Sequence, residues 1–200
     1  MPRITLPDPQ RLTPEQQRVY DAVVAGPRGQ LVGPLRAVLL VPELAHRWQL
    51  FGEQLRYKTS LPARITELAI VTVARHWNSQ IEWQIHAQAA AAAGVPENIL
   101  AAIRLASPPS FEDVADADAY EYTRQLLNDG DVSEALHAQV CDRWGPAGIV
   151  ELTAVIGYYT MVSMMLNAQA ILPSERGDHP LPPVASRQCC GVLTRLPPAA

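Results

Sequence analysis

A chain of 200 residues that is 48% hydrophobic and 18% charged has the material for one domain with a sizeable core. A formal net charge of -4, with no lysine or arginine cluster, argues against nucleic acid as the natural partner. Residues 1–10 lack the apolar core of a secretory signal, and no run of about eighteen uninterrupted apolar residues is present to span a bilayer. The stretch from Leu152 to Leu172 comes closest, but Thr153, Thr160, Ser163, Asn167 and Gln169 interrupt it, as befits a buried core helix. Cys141, Cys189 and Cys190 form no Cys-x-x-Cys pair and no disulfide framework, so a reducing, cytoplasmic setting is expected.

In chain order, Thr13-Pro14-Glu15-Gln16 combines an N-cap, a proline at the first helical position and a glutamine at the capping-box position. A helix is predicted from there to about Ala25, where Gly26-Pro27 stops it. Gly33-Pro34 restarts a short helix through Leu40, and Pro42 opens another through roughly Tyr57. Thr59-Ser60-Leu61-Pro62 begins a helix that runs to about Trp77. Asn78-Ser79 marks a break, after which helix resumes to Ala93 before Gly94-Val95-Pro96. Pro96 opens a helix ending near Ser107-Pro108-Pro109, and further helices are predicted at Phe111 to Asn128, Ser133 to Trp144 and Pro146 to Leu172. Alternating β-branched runs bounded by turns do not occur, so residues 1–172 are expected to form a single all-α domain. From Pro173 onward prolines recur without helical period, and 173–200 are expected to be a flexible tail or an arm on a neighbouring subunit, with Cys189 and Cys190 incidental within it.

The residues that bear chemistry cluster between Glu67 and His86. Glu67 lies on a segment, Leu68 to Ala74, too apolar to be a solvated face, so its carboxylate must be paired or functional. Glu82 and His86 are four residues apart and share one helix face. Two acids converging on an imidazole are equipment for moving protons. Plainer roles compete: Ser79-Gln-Ile-Glu82 is also a capping box, Glu67 could pair with Arg64 or Arg75, and His86 could be a satisfied core histidine. A capped helix start would in addition turn a positive dipole end toward an anionic substrate, which brings Ser79 in as a binding candidate. Trp83 reads as a pocket wall. Arg36, after Gly33-Pro34, is a candidate for gripping an anionic group, with an ordinary surface ion pair as the alternative. Tyr158 and Tyr159 stand on an apolar helix, so at least one hydroxyl needs a buried partner, and Tyr158 is placed among the pocket residues. Glu67, Glu82 and His86 are possible metal-ligand types, yet a catalytic site usually brings a second histidine, and His76 is not suitably spaced; no metal and no cofactor are expected.

A faint internal echo sets Glu67-Leu68 with His86-Ala-Gln-Ala89 against Glu151-Leu152 with Asn167-Ala-Gln-Ala170. Were it a duplication, two related helical hairpins would result, with the acid and imidazole kept only in the first.

The pattern Leu61-Pro62-x-Arg64-x-x-Glu67, Ser79-x-x-Glu82-Trp83-x-x-His86 and then Gly94 resembles the carboxymuconolactone decarboxylase and alkylhydroperoxidase D superfamily, most specifically from Leu61 to Ile103. The resemblance implies an alkylhydroperoxidase D-like helical bundle assembled as a trimer or hexamer. In the peroxidase branch, a glutamate, a Cys-x-x-Cys pair and a histidine form a redox relay. Here the relay positions fall on Glu67 and His86, but the redox pair falls on Ser79 and Glu82, and neither is a thiol. The decarboxylase-like branch is therefore implied, with Glu67, Glu82 and His86 acting as acid/base groups on a small carboxylated or lactone-type molecule. A non-catalytic binding or assembly module of the same fold is the alternative. A thiol peroxidase using Cys141 or Cys189 and Cys190 is a more distant one.

Overall fold

Proline and glycine punctuate the chain into eight α-helices among the residues that the computed structural model describes, which are 2–31, 33–173 and 180–183. They are α1 (Pro14–Ala25), α2 (Pro34–Val38), α3 (Pro42–Tyr57), α4 (Ala63–His76), α5 (Gln80–Ala92), α6 (Glu97–Arg104), α7 (Val114–Asp129) and α8 (Glu134–Ala168). The protein is all-α, as expected. The capping box at α1 forms: Gln16 N donates to Thr13 Oγ1 at 3.3 Å, and Thr13 N donates to Gln16 Oε1 at 3.0 Å. The two helices expected on either side of Gly145-Pro146 join end to end as α8, with Gly145 at φ 70° and ψ 174° marking the kink. Only glycine adopts that conformation readily, and the proline that follows begins a new first turn.

α4 is the partition of the fold. Every residue from Ile65 to His76 is buried. One side of it, through Ala69, Ile70 and Val73, joins a core built with α1, α2, α3 and α8. The other, through Ile65, Leu68, Val71 and Ala74, joins a second core built with α5, α6 and α7. α8 holds α4 at both ends. Glu151 accepts hydrogen bonds from Ser60 N at 2.8 Å and Ser60 Oγ at 2.6 Å just before α4 begins. Asn167 Nδ2 donates to Trp77 O at 2.7 Å where α4 stops, and Trp77 Nε1 donates to Thr160 Oγ1 at 3.3 Å beside it. Glu151 and Asn167 thus stand on one continuous helix, whereas Glu67 and His86 stand on two. The hairpin expected from the internal echo does not exist in its second copy, whose residues act as tethers.

One further expectation changes. Residues 180–183 dock on the chain's own body. Leu181 is 1% exposed within the second core, and its backbone pairs with the Gln80 side-chain amide, donating to Oε1 at 2.8 Å and accepting from Nε2 at 3.2 Å. Arg104 Nε donates to Pro180 O at 2.7 Å. An apolar leucine and an amide that satisfies both of its backbone groups are enough to order this piece; Cys189 and Cys190 lie outside the described residues. α8, for its part, is long and apolar enough to cross a membrane by length and composition, with a mean hydropathy of 1.6 in its most apolar window. Half of that window is buried, and the helix packs against α2, α3, α4 and α7, the pattern of a core helix.

Candidate active site

α4 delivers Glu67 and α5 delivers Glu82 and His86 to one place. His86 Nδ1–H donates to Glu67 Oε2 at 2.7 Å, and His86 Nε2 lies 3.5 Å from Glu82 Oε2. All three side chains are buried. Their plainer sequence partners are engaged elsewhere: Arg64 meets Asp113 and Asp116, and Arg75 Nη1 donates to Asn78 Oδ1 at 2.6 Å. The imidazole is further fixed by Tyr159, whose ring stands edge-on to it at 4.9 Å between centroids. Burial pushes the Glu82 carboxyl above the ordinary carboxylate range, opposed by His86, Arg56 and Arg28 and reinforced by Glu67.

Glu82 and His86 open onto a cavity of about 340 Å³, lined in addition by Leu35, Ile85, Val162, Tyr57, Tyr158, Tyr159, Arg28 and Arg56. That is the size of a small-molecule site, and its walls combine apolar and aromatic side chains with convergent polar groups in nearly equal measure. Tyr158 lines it as expected. Its hydroxyl donates to Trp48 O at 3.4 Å, and burial holds the phenol neutral, up to about 12. Burial likewise lifts the Tyr159 phenol well above its ordinary value.

Three sequence-based candidates do not reach the cavity. Ser79 occupies the N-cap position of α5 but makes no cap: its Oγ is buried without a hydrogen-bond partner. The other half of the box is missing too: Ser79 N–H is already donated to Ala74 O at 2.8 Å, closing the end of α4, and Glu82 turns inward to His86 instead of back to the helix start. Trp83 is one residue beyond Glu82 and so about 100° round the helix. It packs into the second core and faces a groove with Ala87, Leu100 and Leu105 between α5 and α6. Arg36 similarly turns away from the cavity that Gly33, Pro34 and Leu35 line, and its Nε is buried without a partner. The cationic groups at the cavity are instead Arg28, on the loop after α1, and Arg56, in the last turn of α3. Both escaped the sequence reading, since neither has a local partner or motif to single it out. Tyr159 was visible only as half of a tyrosine pair.

Among the described residues, no group of three His, Cys, Asp or Glu side chains is arranged to hold a metal ion. Cys141 is a half-buried free thiol on α8, and it is not among the residues lining the cavity.

With this geometry in hand, likeness to known proteins can be placed on it. Residues 42–125 match the carboxymuconolactone decarboxylase family. No curated protein matches the chain. The crystal structure of an uncharacterized peroxidase-related protein from Silicibacter sp. TM1040 superposes with a TM-score of 0.67 at 16% identity, covering 87% of this chain and 92% of that one. At that identity the likeness is one of fold. The resemblance read from Leu61 to Ile103 thus lies wholly inside a segment that matches the carboxymuconolactone decarboxylase family, carried on a helical fold shared with the Silicibacter protein.

Proposed function

We propose that the cavity is the active site of a carboxymuconolactone decarboxylase-like enzyme that performs cofactor-free acid/base chemistry on a small carboxylated or lactone-type molecule. The observation that carries this reading is the bridging imidazole, bonded on one side to Glu67 and facing the cavity acid Glu82 on the other. With Nδ1–H donated to Glu67, a neutral His86 presents Nε2 as its basic nitrogen. Glu82, favoured as the neutral acid by burial, donates its proton toward Nε2 or toward a substrate atom in the cavity. A proton taken from substrate by Nε2 is balanced by Glu67, whose carboxylate stabilises the imidazolium that forms. Isomerisation needs one such proton removed and one delivered; decarboxylation of a carboxylate needs one delivered, to the carbon that loses CO2; ring opening needs one removed from an attacking water and one delivered to the leaving oxygen.

Replacing His86 with glutamine tests the reading. Turnover of a small lactone or keto acid panel should fall by about a hundredfold to ten-thousandfold while the melting temperature holds. Unchanged turnover would remove the acid/base assignment and leave a binding module.

A homo-oligomer, a trimer or hexamer as the resemblance implies, is part of the same proposal. It is supported by apolar side chains left in solvent on α3 and α8, among them Phe51 at 48% and Met164 at 51% exposed. Light scattering at micromolar concentration should give a multiple of 21.9 kDa, and a monomer mass would overturn it.

A further inference from the structure

Two guanidiniums share the cavity with Glu82. Neither Arg28 nor Arg56 forms an ion pair among the described residues, whereas Arg47, Arg64, Arg124 and Arg143 each meet a carboxylate. Arg28 is the sharper case, because its Nε and Nη2 are buried without a hydrogen-bond partner. A guanidinium stays charged under all ordinary conditions, so a buried N–H edge with no acceptor costs free energy until an acceptor arrives. Glu82 makes its contact with His86 instead, and the charges of Arg28 and Arg56 oppose the upward push that burial gives its carboxyl.

The position of Arg28 is set by a missing atom. Gly52 on α3 carries no Cβ, and one built there would fall inside the van der Waals shells of both Arg28 Nη2 and Tyr158 Oη. Tyr158 has little room to yield. Its ring is edge-on to Trp48 at 5.9 Å and to Phe51 at 5.6 Å. The bare backbone at Gly52 therefore leaves a slot in which a phenol and a guanidinium lie side by side at the cavity wall.

We propose that Arg28 and Arg56 form a carboxylate subsite, with Gly52 as the residue that fixes where Arg28 sits, and that the ligand is a small monocarboxylate. Its planar carboxylate matches the guanidinium fork, which can donate two parallel hydrogen bonds. Its apolar body lies along Leu35, Ile85 and Val162. Inorganic phosphate has no such body to lay against these side chains. The proposal rests on the cavity being a small-molecule site and does not need the acid/base step.

The test is calorimetric titration of the full-length protein, wild type and His86→Gln, with sodium benzoate and with inorganic phosphate. Benzoate should bind both forms. Arg28→Gln and Arg56→Gln should each weaken it about tenfold or more, the loss expected for a hydrogen bond to a charged partner. Arg28→Lys should not restore it, because an ammonium lacks the fork. Gly52→Ala should weaken binding with every charge still present. In ligand-free protein Arg28→Gln should raise the melting temperature, since it removes a half-buried cation whose Nε and Nη2 are covered without an acceptor; a merely structural arginine would lower it. The proposal is overturned if Arg28→Gln and Arg56→Gln bind benzoate as the wild type does, if phosphate binds more tightly than benzoate, or if neither binds. Binding in His86→Gln with turnover unaffected would separate failure of the catalytic reading from failure of this one.

Discussion

Arg64 and Glu67 stand one turn apart on α4 and belong to two charge clusters with opposite characters. Arg64 faces α7, where one guanidinium spans two carboxylates, Asp113 and, at 3.2 Å, Asp116, and its side chain remains 31% exposed. Glu67 faces α5 and enters a buried group in which one imidazole is shared by two acids, beside two guanidiniums that form no ion pair among the described residues. A cluster in which each acid meets a cation holds helices together. One that leaves charge unmet beside a cavity carries a stability cost that makes sense only if a ligand or a moving proton completes it. The two sit on consecutive turns because a helix can present different faces to different neighbours at little distance.

The contrast predicts a crossover between variants. His86→Gln should produce the largest effect, a loss of turnover with the fold intact, as set out above. Arg64→Ala should do the reverse. It leaves Asp116, whose side chain is 2% exposed, without its cation, and the cost should be about 2 kcal/mol of unfolding free energy, below the range for fully buried pairs because water reaches Arg64. Urea unfolding would show the loss, while turnover per folded molecule should hold. A stable Arg64→Ala protein would erase the distinction between the clusters.

The smallest effect is one of pH. Burial raises the Glu82 pKa in the folded state, so the native protein retains a proton that the unfolded chain releases. This contribution to stability is fully present below the unfolded carboxylate pKa and is lost as pH rises through the folded value. Glu82→Gln cannot ionise, and its melting temperature should match the wild type at the acid end and exceed it as pH climbs. Parallel curves for the two proteins would mean that Glu82 is not held above its ordinary range.

What could be read from the chain divides along the same line. Helix starts at Thr13, Pro34 and Pro42 were legible because capping and proline geometry are local, and the structure places them within a residue or so of expectation. The approach of Glu82 to His86 was legible from the i,i+4 spacing, and that of Glu67 to His86 from the family resemblance. Ser79 misled because a local rule met a competitor: the end of α4 claimed the N–H that a capping box requires. Trp83 and Arg36 misled because adjacency in sequence is not adjacency on a helix. Arg28, Arg56 and Gly52 were invisible, since what relates them is the packing of the loop after α1 and α3 against α8, with more than a hundred residues between Gly52 and Tyr158.

The grip of α8 on both ends of α4 bears on how such a protein could change over time. A helix tethered at Ser60 and again at Trp77 has a set length. Adding or removing one residue between those points would shift Glu67 by about 1.5 Å and swing it through about 100°, away from His86. Point substitutions can drift along α4, but insertions and deletions there would dismantle the relay at a stroke. The segment that carries Arg28, between α1 and α2, lies outside that bracket. New ligand preferences can therefore arise by altering the position that Arg28 now occupies, while the proton-handling groups stay in register beneath it.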